Sequence, residues 1–157
     1  MKRVSVLFSS LIALVLMAGI GQAQVDPQLG VWTLDVDRSS FSPGPAPRSQ
    51  TAIYTQIGRG VRVVGQGMSG AGKAINTEFS YSFDGREHPA RGFADWNSVK
   101  ARQVNARTIE YTRYLKGEEV QVATRTISAD GKTATVRVKG VDAADNKVDN
   151  TLIFTRK

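Results

Sequence analysis

Residues 74–83 constrain this chain most. Ile75, Thr77, Phe79, Tyr81 and Phe83 fall on one side of an extended segment, and Asn76, Glu78, Ser80 and Ser82 on the other. A period of two marks a strand buried on one face, because successive side chains of a strand point to opposite sides. The same rhythm runs through residues 30–36, 51–57, 61–68, 96–104, 108–114, 119–127, 133–141 and 148–155. Between them, Gly58-Arg59-Gly60, Asn105-Ala106-Arg107, Lys116-Gly117-Glu118, Asp130-Gly131 and the stretch "DAADNK" at 142–147 supply residues that tolerate the positive φ of hairpin turns. Helical periodicity is missing from this part of the chain. The one exception is Asp26-Pro27-Gln28-Leu29, where a capping residue before a proline predicts a single helical turn. About nine short strands joined by tight turns predict an all-β, single up-and-down antiparallel meander of about 8–10 strands. Closing it into a barrel removes the exposed sheet edges.

The first residues differ from this pattern. Lys2 and Arg3 precede the uncharged run "VSVLFSSLIALVLMAGI", and Gly21-Gln22-Ala23 follows as a small-x-small site. A basic start, an apolar centre and a small-residue cleavage site predict a signal peptide over residues 1–23, cut after Ala23. The expected product is a barrel domain over residues 24–157, periplasmic or secreted, with no stable membrane anchor after cleavage. Loss of Lys2 and Arg3 lowers the net charge from +7 to +5. The remaining basic residues, such as Arg59, Arg62, Arg86, Arg91, Lys100, Arg102 and Arg107, are scattered. Such a field mildly attracts anions, and export makes nucleic acid an unsuitable partner.

The absence of cysteine excludes disulfides, thiolate zinc sites and cysteine nucleophiles. A single histidine, His88, leaves no multi-histidine metal site. It lies between turn-forming residues in "DGREHPARG", which places it in a surface loop. No cofactor is called for. The stretch "GMSGAGKA" at 67–74 comes close to a phosphate-binding loop, but Ala74 stands where a magnesium-binding hydroxyl is needed. Such a loop must also lead into a helix, and here a strand follows. Residues 67–73 therefore read as a hairpin loop.

Gly30-Val31-Trp32 and the longer "GVWTLDVDRSSF" resemble the G-x-W opening of lipocalins and fatty-acid-binding proteins. The stretches "FDGREHPARG", "SADGKTATVRVKG" and "NTLIFTRK" resemble a group of small exported bacterial lipocalin-like (calycin-type) proteins with no established activity. The resemblance implies a barrel in which Trp32 plugs one end beneath an arginine of the last strand, for which Arg156 is the candidate. The chain departs from the fatty-acid-binding pattern in lacking a helix-turn-helix lid. Its first connection instead carries Pro43, Pro45 and Pro47, which favour a stiff, extended path.

Six residues are candidates for an internal ligand site. Phe79, Tyr81, Phe83, Tyr111 and Phe154 fall on the apolar phases of three strands, and alternation also turns Arg113 inward beside Tyr111 and Ile109. Thr77, Asn150, and Thr124 and Thr126 beside Val120 and Val122 share the inward phases on this reading. Aromatic rings mixed with hydroxyls fit a ligand cavity and a partly wet core alike. Fatty-acid-binding proteins hold a carboxylate with inward Arg and Tyr side chains, so the resemblance implies such a role for Tyr111, Arg113 and Arg156. The competing reading puts both arginines at strand ends with their heads in solvent. Tyr54 and Trp96 fit core and rim equally.

Two functions follow. One is a binding module that holds a small apolar or amphipathic molecule, anionic if inward arginines are to be neutralised. The other is a packed structural or interaction barrel, such as an inhibitor of a secreted enzyme, acting through the loops at 42–48 and 84–92. No nucleophile or carboxylate pair stands at useful spacing, so no catalytic residue is assigned. Lipid isomerase or cyclase chemistry is the least supported reading. The sequence does not specify an oligomeric state.

Overall fold

The computed structural model describes residues 26–157, so the expected signal peptide lies outside the described residues. Ten antiparallel strands form one closed barrel in which each strand pairs with its neighbours in sequence and β1 pairs with β10. They are β1 Gly30–Ser40, β2 Ser49–Ile57, β3 Gly60–Met68, β4 Ala74–Tyr81, β5 His88–Arg91, β6 Ser98–Asn105, β7 Thr108–Leu115, β8 Glu118–Ile127, β9 Thr133–Val141 and β10 Lys147–Arg156. Two expectations change here. His88 opens the short strand β5 instead of lying in a loop, and β4 ends at Tyr81, so Phe83 has already left the sheet. Residues 69–73 are the hairpin loop between β3 and β4. Ser69 N donates to the Lys73 carbonyl (2.8 Å), and Gly72 sits at φ 78°.

One end of the barrel is sealed. Residues 26–29 make the expected single turn, with Leu29 N on the Asp26 carbonyl (3.1 Å) and Gln28 N on Asp26 Oδ1 (2.9 Å). This turn folds beneath Trp32, which is wholly buried and donates Nε1–H to the Gln28 carbonyl (3.1 Å). Arg156, paired with Trp32 across β1 and β10, lies 4.3 Å from the centre of the indole. Its three nitrogens donate to the carbonyls of Leu29 (2.6 Å), Pro27 (2.7 Å) and Gly131 (2.8 Å). A cation over an aromatic face with each of its three nitrogens donating a hydrogen bond makes a strong clasp. At the opposite end, the proline-bearing connection is tied to β10. Asp149 N donates to the Ser42 carbonyl (2.8 Å), and Ser42 N to Asn150 Oδ1 (2.7 Å).

Strand β8 faces the opposite way from its hydrophobic pattern. Gln121, Ala123, Arg125 and Ile127 are buried, while Val122, Thr124 and Thr126 lie on the other face and Val120 packs partly buried against the core. Arg113 pairs with Gln121 but Tyr114 pairs with Glu119, so Val120 is an extra residue in the ladder. Such a bulge reorients the side chains around it. Gly140, opposite Gln121 at φ 146°, lets the backbone of Val120 pass where a Cβ would collide with its carbonyl.

Candidate ligand cavity

Above the Trp32 plug lies a cavity of about 190 Å³. Its aromatic wall comes from β4, β7 and the β5–β6 connection. Phe79 meets Trp96 at 5.6 Å, Phe93 at 6.1 Å and Tyr111 at 6.0 Å, all edge-on, while Phe93 and Trp96 stack at 3.8 Å. Edge-to-face rings at these spacings support one another. Val136, Val138, Leu152 and Phe154 of β9 and β10 face them, with Gln50, Thr77 and Asn150 as polar points.

Two guanidiniums reach this space. Arg113 donates Nη1–H to Gln121 Oε1 (3.0 Å) and lies 4.7 Å from the centre of Trp96. It also lines an adjoining polar recess of about 320 Å³ at the open end, with Asp95, Asp142, Pro43 and Gly44. Burial pushes Arg113 down to about 10, with Asp95 pulling the other way, so it stays charged at neutral pH. Arg125 is only 1% exposed. Its guanidinium lies 4.2 Å from the centre of Tyr54 and 4.6 Å from that of Trp32, and its Nε–H donates to Gln28 Oε1 (2.9 Å). Among the described residues neither arginine has a carboxylate within ion-pair distance. A buried charge compensated only by ring faces and an amide is costly to hold.

The hydroxyls of Tyr81 and Tyr111 are buried without a hydrogen-bond partner. The two rings stand 5.3 Å apart, near enough to influence each other but not in hydrogen-bond geometry. Burial raises both phenols well above the ordinary tyrosine range, against the nearby Arg125 charge, which lowers them. An unpartnered buried hydroxyl is uncommon and costs free energy.

Of the six expected ligand residues, Phe79, Tyr111, Arg113 and Phe154 line the cavity. Tyr81 lies behind them in the core, against Phe79 and Tyr111. Phe83 does not join them: it is 46% exposed on the outer wall, because β4 has ended two residues earlier. Arg156 is likewise not internal, being taken up by the carbonyls of the sealed end. The second internal guanidinium belongs to Arg125, which the sequence reading missed. Its spacing from Ile127 carried the signal, since the two share a phase. Phe93, Trp96 and Tyr54 were missed as lining residues, and two of them come from an irregular connection that has no period to read.

These features define a closed ten-stranded antiparallel barrel, packed at one end and hollow behind the other. Among solved structures, Rv2717c from M. tuberculosis superposes on it with a TM-score of 0.53 at 13% identity, covering 83% of this chain and 93% of that one. The likeness is one of fold. EF1p2_mFAP2b bound to DFHBI superposes at 0.48 with 12% identity over 83% of this chain and 94% of its own. The redesigned barrel mFAP1 bound to DFHBI superposes at 0.45 with 12% identity over 83% and 95%. No family model matches the sequence, and no curated protein matches it.

Proposed function

We propose that this barrel is an exported binding protein whose cavity holds a small amphipathic molecule of about one aromatic ring, its anionic group turned toward Arg113. One observation carries the reading: Arg113 and Arg125, two guanidiniums without carboxylate partners among the described residues, line with Tyr111 one space whose other wall is aromatic. Size selects within the amphipathic class. A cavity of about 150 Å³ suffices for benzene, whereas drug-sized ligands need roughly 300 Å³ or more. At about 190 Å³, a single-ring acid fits and a long acyl chain does not.

Calorimetry with benzoate and with neutral toluene tests the site. Arg113→Met keeps the apolar stem and removes the charge. It weakens benzoate binding by about 1.5–3 kcal/mol, the range for a hydrogen bond to a charged group, and leaves toluene binding and apo stability nearly unchanged. Equal benzoate affinity in the two proteins overturns the anion site. No binding of either compound favours the packed barrel that acts through its outer surface. Export rests on the leader-like residues 1–23, and the protein recovered from a periplasmic or culture fraction should begin at Gln24.

A further inference from the structure

The barrel wall is incomplete on one side. Strand β6 pairs with β7 along its whole length, from Ser98 opposite Tyr114 to Asn105 opposite Thr108. On its other side β5 reaches only Ser98 and Val99. Next round the wall, β4 meets β5 at Glu78 and Phe79 alone and then ends. Over residues 100–105, then, no strand among the described residues pairs with that edge of β6. A groove of about 460 Å³ lies beside this edge, with Phe83 and Gly85 on one side and residues 100–103, joined by Glu110 and Thr112 of β7, on the other.

An unpaired edge offers main-chain donors and acceptors to any extended chain, and proteins ordinarily cover or blunt it. Here two large apolar side chains stand exposed beside it, Phe83 and Val104, each at 46%. The turn that presents Phe83 is held in place. Asp84 Oδ1 accepts from Arg86 N (3.0 Å) and contacts His88 Nε2 (3.1 Å), which also meets Ser82 Oγ (3.2 Å). In the groove, Arg102 is paired with Glu110 (2.8 Å), while Lys100 has no ion pair among the described residues.

We infer that residues 100–105 of β6 are a docking edge for an extended, acidic segment of a partner protein, which adds a strand to the wall and lays an apolar side chain against Phe83. The exposed backbone calls for an extended chain, since strand addition draws its affinity from main-chain hydrogen bonds and its specificity from alternate side chains. Charge selects among extended chains. A second copy of this protein brings a net positive charge, +7 for the full sequence and +5 without Lys2 and Arg3, and its own Lys100 and Arg102 to the same edge, whereas carboxylates complement Lys100. Six residues in a strand span about 20 Å, enough for a short linear segment.

Selection of a displayed library of random ten-residue peptides against the protein tests this. Enriched peptides should alternate apolar residues with Asp or Glu and should slow amide exchange over residues 100–105. A synthetic copy N-methylated at alternate amides, as well as the variants Lys100→Glu and Phe83→Ser, should each weaken binding about tenfold or more. Because Phe83 is exposed and Lys100 is half-buried without an ion pair among the described residues, both variants should keep wild-type unfolding curves, which separates lost docking from lost fold. Failure to enrich any peptide, enrichment of peptides that bind Lys100→Glu equally well, or protection elsewhere on the barrel overturns the assignment. So does a homodimer that covers this edge. Benzoate binding is read separately and does not bear on the outcome.

Discussion

Gly30, the glycine of the G-x-W opening, has a physical reason to be glycine. Its φ is 118°, and a Cβ there would meet Arg156 Nη1 at 2.7 Å. Gly30→Ala therefore combines backbone strain with displacement of a charged clasp, and should cost roughly 2–4 kcal/mol. Urea unfolding measures it, and the cost should shrink when Arg156 is already Met, because the collision is then gone. The two arginines of the cavity differ in the same physical way. Arg113 shares its surroundings with the polar recess at the open end, so removing its charge affects a ligand more than the fold. Arg125 is enclosed and supports both Gln28 and Trp32, so it belongs to the fold first.

The short turn at 26–29 is a structural plug despite its length. Gln28 is 2% exposed, accepts from Arg125 and donates Nε2–H to the Arg107 carbonyl (3.0 Å). Gln28→Ala leaves a buried guanidinium N–H unpaired and should destabilise the barrel by about 2–4 kcal/mol, read from urea midpoints. In an Arg125→Met background the same change should cost distinctly less. At this scale the sequence was readable where alternation and burial agree: β9 spans residues 133–141 as expected, and the remaining long strands lie within a few residues of their expected bounds. Strand β5 was not readable, since four residues that include Pro89 and pair at two positions on each side leave too short a pattern. The face of β8 was misread because hydropathy ranks Val120 and Val122 above Gln121 and Arg125. The bulge at Val120 and the rings around Arg125 reverse that ranking. The cavity was legible in Phe79, Tyr111, Arg113 and Phe154, which sit on clean strand phases. Phe93 and Trp96 sit on none.

For the molecule as a whole, these ionisations set limits at both ends of the pH scale. Tyr81 and Tyr111 are held protonated by burial. Above about pH 10, the ordinary tyrosine value, the unfolded chain loses these protons and the barrel does not, so stability falls as pH rises further. Tyr81 and Tyr111 should then show tyrosinate absorbance only as the barrel opens. At the acid end, Asp84 is lowered to about 2 by the Arg86 backbone N–H and then by His88. Asp130 is lowered chiefly by the Ser128 hydroxyl, and Asp142 by the Asn146 side chain. Below about pH 4 the unfolded chain takes up these protons first, so the stability they contribute is lost as pH falls toward about 2. Urea midpoints across pH should decline at both extremes. A midpoint that is flat above pH 10 would show that the two phenols ionise within the fold.

Every pairing in the wall but one joins strands that are adjacent in sequence; the exception is the seam between β1 and β10. Hairpins between adjacent strands close short loops and form early, whereas the seam must wait until the rest of the wall has brought its two edges together. The clasp of Arg156 on Trp32 therefore belongs to the last event of folding and the first of unfolding. Arg156→Met should accelerate unfolding in stopped-flow experiments while leaving the refolding rate nearly untouched, and a turn substitution such as Gly117→Ala, at φ 87° in the β7–β8 hairpin, should slow refolding instead. On that account the lifetime of the closed barrel is governed at a single seam.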